Sequence, residues 1–394
     1  MKIAAIICEY DPFHHGHAYH IEKTRQAGAT HVVCIMSGAF VERATPAAVS
    51  RAARVKAALL GGADLVIDLP VPWACAGAQI FARGGVGLAD ALGCVELLSF
   101  GSECGNIGLI KTAARAINDP AVFALLKENL DSGESFAAIR QKAVEAVFPQ
   151  VAGLLSNPND TLGIEYVAAL EALGSSVEPM CVSRKGAPHD SNVTDGIFAS
   201  ASAVRKLMTA GESFENLVPK GAYEIFLHEV EEGRAPAEVS RLESAILYKL
   251  RTSSPADFRK LPDVSEGIEN RIVSAAKSAV SLDDVYSFAK TKRYSHARLR
   301  RIVTSLMLGI EKSDSEGIPP YIRVLGMNEH GREILRCTDG VGLPVVMRTS
   351  DIKALDERAQ RIFELECRAA DIRALCTPVV APCGSEQTAK FISI

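Results

Sequence analysis

The chain of 394 residues has no Cys-Xaa-Xaa-Cys pair, no internal repeat, no low-complexity segment and no apolar run long enough to span a bilayer. Its ten cysteines are scattered from Cys8 to Cys383, several inside apolar runs where a free thiol behaves as a small hydrophobe, which argues against a zinc or disulfide scaffold. It also lacks positive net charge. At −4 it does not advertise a nucleic-acid binder, although a local basic face would serve one. One early lysine and a short apolar stretch meet Glu9 and Asp11 too soon for a signal peptide, so a soluble, cytoplasmic protein is expected. With 48% apolar residues the chain can bury a large core, and its length predicts two domains, 1–210 and 211–394.

What is present is organised around the amino end. Lys2 to Cys8 is an apolar run that predicts a buried parallel strand, Pro12 blocks its continuation, and His17 to Arg25 has helical composition. A strand, a tight turn and a helix N-terminus aim backbone N–H groups and the positive end of a helix dipole at one spot, which suits phosphate. His14 and His17, three apart, can face that spot together. A cluster of four histidines, His14, His15, His17 and His20, is also a candidate metal site, and His-Xaa-Gly-His is short enough to arise by chance. The strand before it, the small Gly16 within it and the helix after it favour phosphate.

Further apolar runs at His31–Met36, Asp64–Leu69, Val95–Phe100 and Val177–Val182 alternate with helical stretches, the pattern of a doubly wound parallel sheet. Ligands in such sheets sit beyond the carboxyl ends of the strands, so the loops carrying Arg43 and Gly101 are expected to border the same pocket as the histidines. Asn157 to Asp160 reads as a helix cap whose Asn159 amide can also reach a base or ribose. Arg184 and Lys185 end a strand and suit a triphosphate, and Ser200, Ser202 and Arg205 open a helix in a way that can hold pyrophosphate. Toward the carboxyl end, Lys290, Lys292, Arg293, Arg298, Arg300 and Arg301 have no acid among them and interleave with Tyr286, Phe288, Tyr294 and His296. That composition suits contact with an RNA backbone and stacking on bases, with a solvated helix face as the competing reading. Tyr321–Met327, Leu343–Met347 and Leu355–Leu375 predict strand, strand and long helix, a small α/β unit after the helices.

The string Glu9-Tyr10-Asp11-Pro12-Phe13-His14-His15-Gly16-His17, with Ser202 and Arg205 in a second Ile-Ser-Ser-Thr-Xaa-Xaa-Arg-like segment, resembles the paired signatures of the HIGH-type nucleotidyltransferases. The longer strings, including Met36-Ser37-Gly38, Arg54, Arg83, Asn157–Tyr166, His189-Asp190 and Arg323–Arg332, are similar to those of the bacterial tRNA(Met) cytidine acetate ligases across essentially the whole chain. Departures are Asp11 and His15 where that family carries Asn, Ala44-Thr45 where it carries Gly-Glu, Ala199 and Ala201 in the second signature, and Met327 for Phe. The resemblance implies a Rossmann-like α/β fold followed by a mainly helical and small α/β domain. It implies ATP held by Ile7, Cys8, Glu9, Tyr10, Phe13, His14, Gly16, His17, His20, Gly101, Asn159, Arg184, Ser202 and Arg205, with Mg2+ accompanying the nucleotide. His14 and His17 would be catalytic, acetate the activated carboxylate, elongator tRNA(Met) the acceptor, and N4-acetylcytidine the product, with neither DNA nor membrane as partner. Two other readings stay open from the residues: a coenzyme adenylyltransferase, and a non-catalytic ATP-sensing RNA-binding protein.

Overall fold

β1 (Ile3–Cys8) is the central strand because nearly every side chain along it is apolar and buried, as a strand covered on both faces requires. In the computed structural model, which describes residues 1–184, 198–265, 267–338 and 342–394, β1 pairs in parallel with β2 (His31–Ser37) and, on its other side, with β4 (Leu97–Ser102). β3 (Leu65–Leu69) lies outside β2 and β5 (Glu178–Ser183) outside β4, both parallel. The chain thus winds outward from β1 in one direction and then restarts on the other side. The switch point between β1 and β4 is where a doubly wound sheet opens a crevice. Helix α1 (His15–Gln26) begins close to where the sequence pattern placed it, and α2 (Arg51–Leu60) starts where Ser50 caps it by accepting the Ala53 amide at 3.2 Å.

The carboxyl-terminal α/β unit does not build a separate sheet. β6 (Ile322–Met327) joins β3 antiparallel, with Leu65 opposite Met327, and β7 (Val345–Val346) and β8 (Ile392–Ser393) both pair with β6. β3 is wholly buried, so its outer edge needs a partner for its backbone groups, and β6, equally buried, supplies one. The sheet is therefore mostly parallel with one antiparallel junction. Nor does the core divide at residue 210: side chains from Ala199 to Ala235 share a core with β1, β2 and α2, and Leu308 to Ala370 pack with the strands. The helices from Ala237 to Leu306 gather instead around a core of their own, joined by Cys376. Among the described residues no helix is long and apolar enough to cross a membrane.

Candidate nucleotide-binding site and basic segment

The turn after β1 is held by its own histidines. His14 is the N-cap of α1, its Nδ1 accepting the Gly16 amide at 3.0 Å, while His17 Nδ1 accepts the His14 amide at 3.2 Å. This reciprocal cap satisfies two amides that a helix start leaves free and stacks the two rings 3.7 Å apart. It also sets the tautomers: with Nδ1 accepting on both rings, the remaining proton of each sits on Nε2, as a donor. Gly16 is required here, since a Cβ would meet His14 Cε1 at 2.8 Å.

The second signature closes on the first. Ser200 Oγ accepts the Ala203 amide at 3.1 Å and caps the helix Ala201–Ala210, leaving Ser202 to line the cleft. One turn on, Arg205 donates Nη1 to the Asp11 carbonyl oxygen and stands 3.6 Å from its carboxylate. Asp11, one of the departures from the family's Asn, lines the cleft but is only 4% exposed, its carboxylate engaged by the backbone. Its Oδ1 takes the amides of Ala48 at 2.7 Å and Val49 at 3.4 Å. Arg54 is fully buried and donates to carbonyls of Glu9, Ser37, Gly38 and Val49, fastening the ends of β1 and β2 together, so its charge does structural service; Arg83 likewise donates to Ser315 O at 2.7 Å.

One cleft collects Ile7, Cys8, Glu9, Tyr10, His14, Gly16, His17, His20, Gly101, Asn159, Arg184, Ser202 and Arg205, together with Arg43. Phe13 is the exception among the residues expected to touch nucleotide. It is completely buried, with its ring against Gly61, 4.9 Å from Tyr10 and 5.7 Å from His17, so it supports the turn from behind. Lys185, His189 and Asp190 lie outside the described residues. Gly101 offers open backbone to the cleft; a Cβ there would make only ordinary contact, 3.5 Å from Arg184 Cγ. Asn159 is bound at both ends, its Nδ2 donating to Glu103 Oε1 at 2.5 Å and its Oδ1 accepting from Arg184 at 3.2 Å.

Asp160 escaped the sequence reading as a site residue. Fully buried, it accepts Ser102 Oγ at 2.6 Å, the amides of Glu103 at 3.0 Å and Cys104 at 3.2 Å, and Asn157 Nδ2 at 2.8 Å, thereby shaping the loop beyond β4. Most of its donors are more than fifty residues away in the chain, so no local pattern marks it. Glu42, which lines the cleft and gives its amide to Glu9 Oε1 at 2.6 Å, was missed for the same reason. Ala44 has φ +56, a left-handed conformation that costs a Cβ-bearing residue roughly 1 kcal/mol, which accounts for the glycine in the pattern the chain resembles there.

Burial first, and then the nearby Arg184, pushes His14 down to about 3 and His20 down to about 4; burial and the His14 ring push His17 well below its ordinary value. All three rings are neutral at pH 7. Glu9 moves the other way, raised by burial to about 7 against the stabilising Glu42 amide. The cleft therefore presents neutral N–H donors, a helix N-terminus, Arg184 and Arg205, which together can receive a polyphosphate.

The basic segment is less open than its composition suggests. Arg298 donates Nε to Asp263 O at 2.9 Å and Nη2 to Ser265 Oγ at 2.7 Å, Arg301 pairs with Asp263 at 2.6 Å, and Arg293 donates to Leu130 O at 3.3 Å. Tyr286 and Tyr294 are 8% and 6% exposed, so their rings belong to the helical core and cannot stack on bases; Phe288, at 51%, can. Lys290, Lys292 and Arg300 remain exposed. The helix His296–Leu308 that carries the end of this segment rests on the cleft loop, with Thr304 Oγ1 donating to Ala44 O at 2.8 Å and Arg301 facing Glu42.

Residues 1–388 match the family described as HIGH Nucleotidyl Transferase. The tRNA(Met) cytidine acetate ligase of Acetivibrio thermocellus is 35% identical over 413 residues, with 100% of both chains covered, and that of Thermoanaerobacter sp. strain X514 is 37% identical over 386 residues and 95% of each chain. The apo crystal structure of Thermotoga maritima TmcAL superposes with a TM-score of 0.94 at 30% identity over 100% of both chains, and the same protein bound with alpha-thio ATP gives 0.92. A likeness that runs from end to end, and includes a protein crystallised with an ATP analogue, agrees with a cleft built to receive phosphates: the chain belongs to the tRNA(Met) cytidine acetate ligase family of the HIGH nucleotidyl transferases.

Proposed function

We propose that this protein joins acetate to the wobble cytidine of elongator tRNA(Met) at the expense of ATP, in the cleft at the β1/β4 switch point. The observation that carries the reading is the junction of the two signatures, where Arg205 grips the turn capped by His14 and His17. An acetate oxygen attacks the α-phosphorus, a P–O bond forms, the bridging α–β bond breaks, and pyrophosphate leaves with the electron pair. Negative charge grows on the phosphate oxygens as this happens. The Nε2–H groups of His14 and His17, the α1 amides, Arg184 and Arg205 are held in place beforehand, so they stabilise that charge with little reorganisation. In the second step the exocyclic amine of cytidine attacks the acyl carbon, a C–N bond forms, AMP departs and one proton is released. Glu9, Tyr10, Phe13, Gly101, Asn159 and Ser202 complete the nucleotide-handling set, Phe13 by packing. Mg2+ comes with the triphosphate, held chiefly by phosphate oxygens and water, as is usual for that ion.

Lys290, Lys292 and Arg300 are the RNA contacts favoured by exposure, and the helix that carries Arg300 rests on the cleft loop through Thr304. Acetate as the carboxylate, cytoplasmic tRNA as the partner and the absence of DNA and membrane partners belong to the same reading. The test is incubation with ATP, labelled acetate and total tRNA. Label recovered in RNA as N4-acetylcytidine, with stoichiometric AMP, is expected. AMP joined to a phosphorylated small molecule while the acetate label stays unreacted would point to a coenzyme adenylyltransferase, and ATP left intact while RNA is bound would point to a sensor; either overturns the proposal.

A further inference from the structure

At the opposite end of β2 from the cleft, His31 opens the strand and meets two side chains of the helix Glu329–Cys337, nearly three hundred residues later. The geometry points to a divalent transition-metal site, zinc above all, formed by His31, His330 and Glu333. Their ligand atoms lie within 4.8 Å of one another, with His31 Nε2 3.0 Å from Glu333 Oε2 and His330 Nδ1 3.8 Å from Glu333 Oε1. Four ligands at zinc distances stand about 3.3 Å apart, so small side-chain rotations bring this set onto an ion. Two histidines and one carboxylate are also a chemically apt donor set for zinc, and they leave the fourth position to water.

The backbone around the three is fixed by a single buried carboxylate. Asp64 Oδ2 accepts the amide of Val32, next to His31, at 2.8 Å; its Oδ1 accepts Asn328 Nδ2 and its carbonyl the Asn328 amide, both at 3.0 Å. Asn328 in turn caps the helix by accepting the Gly331 amide at 3.0 Å, which sets His330 between two anchored neighbours. A Cβ at Gly331 would strike the Asp64 carbonyl, so the helix is pressed as close to the sheet as backbone allows. Neighbours fastened in this way are what a ligand set needs if it is to be held without a metal present.

The contacts behind His31 suit the same role. His31 Nδ1 lies 2.8 Å from Thr30 Oγ1, which in turn accepts the Lys2 amide at 2.9 Å. This second partner orients the ring and leaves Nε2 on the side of Glu333, 3.0 Å from its Oε2, the arrangement of a metal-ligating imidazole whose other nitrogen is held by a hydrogen bond. With an ion on Nε2, Nδ1–H donates to Thr30. His330 and Glu333 side chains are 61% and 44% exposed, which leaves a path from solvent. An ion there would fasten the helix that follows β6 to the strand two places away in the sheet.

The full-length protein, stripped of metal, should take up one equivalent of Zn2+ saturably and gain thermal stability as it does so. His330→Ala and Glu333→Gln alter exposed side chains and should each weaken binding roughly 100-fold without unfolding the chain. Co2+ loaded into the same site should show an absorption spectrum free of thiolate charge transfer, which separates it from the ten cysteines. The inference is overturned if no saturable equivalent binds, if either variant binds Zn2+ as the wild type does, or if thiolate bands accompany Co2+. In the first of those outcomes a proton replaces the ion, and the cluster is an ion pair only.

Discussion

The histidine turn and the basic segment Lys290–Arg301 both announce themselves in the sequence by composition, yet the structure uses them in opposite ways. In the turn, the groups that satisfy one another are two or three residues apart, so His14 and His17 fulfil their structural duty through Nδ1 and keep Nε2–H for a ligand. In the basic segment, Arg298 and Arg301 are engaged by Asp263 and Ser265, more than thirty residues earlier, and two of the rings are interior. A side chain's residue type shows what it is able to bind; whether it is free to bind depends on what the fold brings beside it.

That contrast can be tested most forcefully at the turn. His17→Ala removes one preorganised donor and should lower acetate-dependent AMP formation by about 100- to 1000-fold, or roughly 3–4 kcal/mol of transition-state stabilisation. Undiminished turnover would reduce His17 to a helix cap. The basic segment offers a paired test of intermediate size. Arg301→Ala breaks a largely shielded ion pair and should destabilise the fold by about 1–3 kcal/mol in denaturant titration. Arg300→Ala should leave stability within about 0.5 kcal/mol while weakening RNA binding and lowering its log–log salt slope by about 0.7–0.9. The reverse pattern would mean that the engaged arginine, not the exposed one, meets RNA.

The last test is the pH dependence of stability. Glu9 is raised to about 7 in the folded chain, so the stability from its neutral form is complete below the unfolded value near 4.5 and lost as pH climbs through 7. Glu9→Gln should therefore gain melting temperature over the wild type at pH 8 and lose that gain toward pH 4.5. His14 and His20 act in the opposite sense. Their depressed values give stability that is present above 6.5 and lost as pH falls toward about 3 and about 4. A Glu9→Gln difference that stayed flat across that range would show the carboxyl to be ordinary.

Legibility followed sequence separation. β1 to β5 were readable because apolar runs between turn residues report a buried strand locally, and the ligand loops then follow from the rule for doubly wound sheets. Asn159, Arg184, Ser202 and Arg205 fell into one cleft as expected, carried by motif resemblance more than by composition. The roles of Asp11, Phe13 and Asp160 were not legible in this way because their partners lie elsewhere. Asp11 is committed to Ala48 and Val49, Phe13 to Gly61, and Asp160 to the loop at 102–104.

By itself the sequence determined the strand–turn–helix at the amino end, its capping histidines and the small residue between them, since each rests on bonds spanning a few residues. Tertiary structure alone decided that β6 would run antiparallel against β3, that half of a cationic segment would be spent on internal partners, and that His31 would meet Glu333. Edge pairing, charge neutralisation and ring burial are set by whichever surfaces come together when the chain folds, and distant segments carry no local sign of which surfaces those are.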